Sequence, residues 1–306
     1  MWFKNINAYN ISNFDLTAEQ LAEKISERIF TPCKPIEEKQ VGWVSPFGDK
    51  FESLVHSSMG CHLFCFKSEE KILPAAVVNE IVQQRIDELR KNDPEIKKVK
   101  KEVKQRIAEQ VRQELLPKAL SKFSRIMAYI DTKQGLLIVD SSSQSKAENI
   151  ILMLRSSLDE NIKFSPVRVI DEPSIKMSDW LLKQTNPSEV EFGEKCQLKD
   201  PVDLGSIRYA KHNMEDAKLQ QYLEEGKTVA ELELTWDEKI KFVLTEDLVI
   251  KGIKFLDLIK EQLEEQSPES YEEAFDIEFT VMHGAFGSFI PFIFDCFGGI
   301  VVEEVV

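Results

Sequence analysis

Apolar and polar positions along this chain keep two periods. Residues 3–11 alternate with the period of two of a half-buried strand, and residues 17–29 then place Leu21, Ile25 and Ile29 at helical spacing with acidic residues between them. The pattern predicts a strand followed by a helix. Residues 54–67 read as a further strand, and 126–132 with 135–141 as a hairpin turning at Lys133-Gln134-Gly135. Residues 145–158 put Ile150, Ile151, Leu154 and Leu158 on one helical face; 229–235 and 239–245 read as strands, and 253–263 as a helix. Strands joined by short turns, without a βαβ rhythm, predict an α+β protein with antiparallel sheets and packed helices.

One segment departs from that mixture. Asp93 suits an N-cap, Pro94 the first helical position and Glu95 the positive end of the dipole, so a helix is predicted from there to Leu116, before Pro117. Ile96, Val99, Val103, Ile107, Val111 and Leu115 recur at three to four residues, one narrow apolar stripe on a helix otherwise covered by charge. Such a stripe suits a protruding helical hairpin, with residues 77–89 as the partner. The expected organisation is a central α+β domain from residues 1–75 with 120–186, a protruding helical tip at 76–119, and an acidic α+β domain at 187–306.

Charge changes the picture. The 306 residues carry 39 Lys and Arg against 53 Asp and Glu, a net −14 that on average repels phosphate backbones. Counted by segment, residues 85–125 hold 13 basic against 7 acidic residues, whereas residues 187–306 hold 11 basic against 27 acidic. So uneven a distribution points to nucleic acid or to an acidic interaction surface. At ~100° per residue Lys97, Lys101 and Lys104 fall within about 60° of one another, a row able to track phosphates. Lys98, Lys100, Arg112 and Lys122 belong to the same basic run. Phe123 is its only aromatic, which favours duplex or backbone contact over a base-stacking platform.

Few motifs carry chemistry. Five scattered cysteines are no disulfide framework, and the N-terminus has no signal-peptide pattern, so a cytoplasmic protein is expected. The apolar run 281–302 is interrupted by His283, Pro291 and Asp295 and reads as buried core or a subunit interface, not a membrane span. Glu225-Gly226-Lys227-Thr228 resembles the end of a phosphate-binding loop, but Gln221 stands where its first glycine belongs, and Gly226 reads as a helix C-cap. Cys61, His62 and Cys65 lie on one strand, the cysteines ~13 Å apart on one face, too far for one zinc ion. Asp203 with Asp237, Glu238 and Lys239 can be written as a metal-dependent nuclease set, as any acidic chain allows. Gly284-Ala285-Phe286-Gly287 matches a four-residue nucleic-acid clamp but has no basic neighbours. No cofactor or metal site is expected.

Several strings, in order and spacing, resemble the bacterial RdgC family of recombination-associated proteins: Trp2-Phe3-Lys4-Asn5, Phe30-Thr31-Pro32-Cys33, Gly42-Trp43-Val44-Ser45-Pro46, Glu69 to Pro74, Leu115-Leu116-Pro117-Lys118-Ala119 and Ile130-Asp131-Thr132, with Trp236 and Phe297-Gly298-Gly299 near the end. The resemblance covers essentially the whole chain. It implies a non-enzymatic, nucleoid-associated protein that assembles as a ring-shaped homodimer, holds DNA without sequence preference, duplex and also single-stranded, and restrains a RecA-type recombinase by competition or contact. It implies that Lys118 and Lys211 face the DNA, with position 212, here His212 in place of a polar amide, beside them. Leu120 stands where the family pattern has Phe, at the point where the ring closes. Two other readings compete: an acidic protein-interaction module without DNA contact, and the metal-dependent nuclease.

Overall fold

The computed structural model of the protein describes residues 2–92, 99–211, 213–264, 266 and 268–301. Strand β1 (Asn7–Ser12) buries its alternate residues, as the pattern requires. Helix α1 (Ala18–Ser26) begins at a reciprocal cap: the Gln20 amide donates to Thr17 Oγ1 at 3.3 Å and the Thr17 amide to Gln20 Oε1 at 2.9 Å. Strands β2 (Lys39–Val44), β3 (Val55–Ser58), β4 (Cys61–Ile72), β5 (Leu120–Asp131), β6 (Leu136–Val139) and β7 (Lys163–Pro166) join β1 in one sheet. Its order is β2-β4-β5-β6-β1-β7, with β3 paired to the first part of β4, and every pairing is antiparallel. The single strand expected over 54–67 is two, because the chain reverses at Met59 and Gly60, both with positive φ. Helix α1 and helix α4 (Gln144–Ser157) cover one face of this sheet over a core that includes Trp43, Phe64, Ile130 and Leu154.

The second sheet holds β8 (Val190–Lys199), β9 (Ser206–Ala210), β10 (Thr228–Trp236), β11 (Ile240–Thr245) and β12 (Ile250–Phe255) in the order β12-β11-β10-β8-β9, again antiparallel. Helices α5 (Pro173–Lys183) and α6 (Ala217–Glu224) pack with it. The helix expected over 253–263 begins only at Asp257, as α7 (Asp257–Glu264). Ile253, which reads as the start of the helix, is instead a buried position of an edge strand paired with β11, as is Ile250.

The C-terminal apolar run is helix α8 (Tyr271–Asp295), which continues through Pro291 and two internal glycines. Propensity alone would break it, and tertiary packing overrides propensity here. Phe279 meets Tyr129 of the first sheet at 5.8 Å between ring centroids, and Phe289 meets Phe242 of the second at 4.9 Å. Among the described helices α8 is the one long and apolar enough to cross a membrane, and the face carrying Phe279, Phe286 and Phe289 lies in the protein core. Residues 284–287 are therefore helix interior, not a clamp loop. One hydrophobic core runs from the first sheet through α8 to the second. The N-terminus ties the sheets too, with Ile6 and Ile250 exchanging backbone hydrogen bonds of 2.8 and 2.9 Å.

Candidate nucleic-acid interface

Strand β4 ends at Ile72, whose cross-strand partner in β5 is Leu120, so residues 73–119 leave and rejoin the sheet at one point. Within that excursion lie α2 (Ala75–Asn92) and α3 (Lys101–Leu115). Val78, Val82 and Ile86 of α2 meet Ile107 and Val111 of α3 in a small core separate from the two large ones, with Val99, Val103 and Leu115 at its margin. The narrow stripe and its partner are thus where the spacing places them. The Arg85 guanidinium joins the Glu114 carboxylate across the pair. The start of α3 differs from expectation: Val99 and Lys100 are not helical, and Lys100 is the N-cap with extended backbone. The expected start at Asp93, and Lys97 and Lys98 with it, lie outside the described residues.

Lys100, Lys101, Lys104 and Arg112 are exposed along α3. Lys118 follows in the 3-10 turn Leu116–Lys118, and Lys122 is exposed at the start of β5. Leu120, the first residue of β5, is 79% exposed. Lys211 stands apart at the end of edge strand β9 of the other sheet, exposed and with φ +61°, and His212 lies outside the described residues.

The cations from Lys100 to Lys122 have no close carboxylate among the described residues. Among the described residues, none of Lys100, Lys101, Lys104, Arg112, Lys118, Lys122 and Lys211 has a carboxylate within 4.0 Å. The acidic C-terminal part is different. Lys195 and Lys241 both reach the buried Glu233, at 2.8 and 3.2 Å. Lys199 pairs with Glu246, Lys227 with Asp200, Lys239 with Asp237, Lys251 with Glu231 and Lys260 with Asp257. The acidic part sets a carboxylate beside most of its lysines, while from Lys100 to Lys122 the acidic neighbours among the described residues lie farther off, as Glu114 does from Lys118.

Sequence reasoning missed one neighbour of that row. Lys67 of β4 lies directly opposite Arg125 of β5. Its Nζ sits 4.7 Å from the ring centroid of Phe30 and 5.7 Å from that of Phe123. Asp49 binds Arg125 and lies 3.6 Å from Lys67. The Glu69 carboxylate accepts from Ser121 Oγ at 2.5 Å and the Cys33 amide at 2.8 Å, which holds it below the usual carboxylate range. The β4–β5 and β2–β4 registers, with residues 28–30 held against Trp43, bring these groups together, and no local spacing announces it.

The other candidate motifs do not assemble. Burial pushes the Cys61 and Cys65 thiols up to about 12 and about 11, and His62 turns to Ser57 Oγ at 2.9 Å. Gly226, with φ +94°, follows α6 as the left-handed position expected of it. Asp203 lies in the turn after β8, level with the start of β10, whereas Asp237 and Glu238 follow the end of β10. The nine-residue strand between them separates the two sites by about 25 Å at ~3.3 Å per residue, so the nuclease set does not converge on one phosphate. Among the described residues no group of three His, Cys, Asp or Glu side chains could hold a metal ion.

Residues 1–300 match the family described as "Putative exonuclease, RdgC". Proteins named recombination-associated protein RdgC from Salmonella typhimurium (strain LT2), Salmonella typhi and Salmonella newport are each 32% identical to the chain over 301 residues, covering 98% of it and 98% of each relative.

Proposed function

The chain belongs to the RdgC family, and from that membership together with its unpaired cations we propose that this recombination-associated protein binds DNA without sequence preference and without catalysis. In this reading Lys97, Lys98, Lys100, Lys101, Lys104, Arg112, Lys118, Lys122, Lys211 and His212 contact phosphates. The α2–α3 pair is a protruding basic arm, and two copies close into a ring around DNA with Leu120 at the gate. The ring occupies duplex and single strands in the nucleoid of the cytoplasm and limits a RecA-type recombinase by excluding it. The observation that carries the reading is the run of exposed cations from Lys100 to Lys122 with no carboxylate within 4.0 Å among the described residues, in a chain whose C-terminal lysines are largely paired.

A salt titration of duplex binding tests it. Each phosphate neutralised lowers log K by ~0.9 per tenfold rise in salt, so the affinity of the native chain falls steeply. The combined Lys100→Glu, Lys101→Glu and Lys104→Glu variant is expected to lose at least about tenfold in affinity and to flatten that slope by roughly one unit per lysine. An affinity flat in salt, or unchanged in the variant, overturns phosphate binding. A mass in solution corresponding to one chain at micromolar concentration overturns the ring.

A further inference from the structure

The face formed by Phe30, Lys67 and Phe123 has a feature that phosphate binding does not use. Phe123 is 57% exposed in the middle of a strand pair, although burial of a Phe side chain is worth ~1.5–3 kcal/mol. One side of its ring is already occupied: the Lys67 ammonium lies between it and Phe30, within the range of a cation–π contact on both. The charges around it are arranged. Asp49 is engaged by Arg125 and Lys67, and Glu69 by Ser121 and the Cys33 amide, so neither acid stands free beside the ring. Lys122, the adjacent residue, turns to the opposite face of the strand, across from Glu70, whereas Lys67 and Arg125 lie on the face of the ring. An exposed aromatic plane with a cation behind it complements a base on a phosphate backbone.

We propose that Phe123 is a stacking site for an unpaired nucleobase, with Lys67 and Phe30 fixing the ring. The proposal rests on the DNA-binding reading and narrows it, giving this face a preference for single strands that the helical cations do not supply. A base inside a duplex has both π-faces covered by its neighbours and cannot use the ring.

The test compares the native chain with Phe123→Leu, which keeps apolar bulk and removes the aromatic plane, and with Phe123→Tyr, which restores it. Binding is read by fluorescence anisotropy at one salt concentration on a 20-nucleotide single strand, the same strand made abasic, and the 20-base-pair duplex. The expected result is a loss of about 5- to 150-fold for Phe123→Leu on the single strand, the range that stacking of one base commands, with rescue by Phe123→Tyr. Changes on the abasic strand and on the duplex are expected to stay within about twofold, far below that range. Equal losses on all three ligands, or no loss on any, overturn the stacking site while the salt-dependent duplex binding still stands. A native chain that binds none of them overturns the DNA reading itself. If Phe123→Leu instead halves the mass in solution, the face belongs to a second copy of this chain and the proposal falls.

Discussion

At the residue scale, Gly42 shows how a side chain can be forbidden by backbone. A Cβ there would stand 2.3 Å from the Phe30 Cα and 2.4 Å from its nitrogen, because residues 28–30 run alongside β2 and share hydrogen bonds with Trp43. Backbone cannot rotate aside as a side chain can, so Gly42→Ala is expected to cost about 2 kcal/mol or more, read as a lower urea midpoint at unchanged slope. It should also disturb Phe30 and hence the Lys67 contact. His283 makes a different demand. It is buried on α8 against Phe279, its Nε2 has no hydrogen-bond partner among the described residues, and burial holds its pKa below the ordinary value. His56 and His62 are lowered by burial as well, the former in spite of Asp276 at 2.9 Å. Lys133 and His56 add to the depression of His283 while Asp131 and Asp276 oppose it. When folding depresses a histidine pKa the unfolded chain binds the extra proton, so stability is complete above ~6.5 and declines as pH falls below it. Thermal melts between pH 7.5 and 5.5 are expected to show that decline, and His283→Leu to make it shallower.

Elements differ in how far they stand on their own. The α2–α3 pair is held by five buried aliphatic side chains and one guanidinium–carboxylate contact, whereas α8 is wedged among aromatic rings from both sheets. Val82→Ala is therefore expected to lower hydrogen-exchange protection of α2 and α3 while leaving β4 protected. Phe286→Ala is expected to destabilise the whole molecule by ~3–5 kcal/mol, as large core truncations do. The same contrast explains what could be foreseen. The stripe of α3 was legible because a helix packed on one neighbour writes its contacts at fixed local spacing. The continuity of α8 was not, since it depends on partners far along the chain, and the turn at Met59-Gly60 and the strand character of Ile250–Phe255, though set by neighbouring strands, lay inside apolar runs that read as one element. The meeting of Lys67 with Phe30 and Phe123 depends, like α8, on distant partners. It needs the β4–β5 register, which pairs residues 58 positions apart, Lys67 with Arg125.

For the whole molecule, the expected boundary near residue 186 meets a core that crosses it. Phe3, Leu63 and Tyr129 pack in the same cluster as Phe279, Phe286, Leu232 and Phe242. Residues 1–186 expressed alone would expose that face of the first sheet, and they are expected to be soluble only as an expanded, dye-binding state or to aggregate, which circular dichroism and light scattering would report. The net charge of −14 also takes a different meaning at this scale. Acid concentrated in a part that pairs much of its own base leaves the other part free to act as a cation, so the sum says little about partners. The excursion between Ile72 and Leu120 has a further consequence. Because those two residues face each other across the ladder, the sheet treats everything between them as a turn, whatever its length. A shorter, longer or wholly foreign insert could be grafted onto the same base without a slip in register, which makes the arm an interchangeable part, the place where selection or design can alter what this molecule reaches while its foundation stays unchanged.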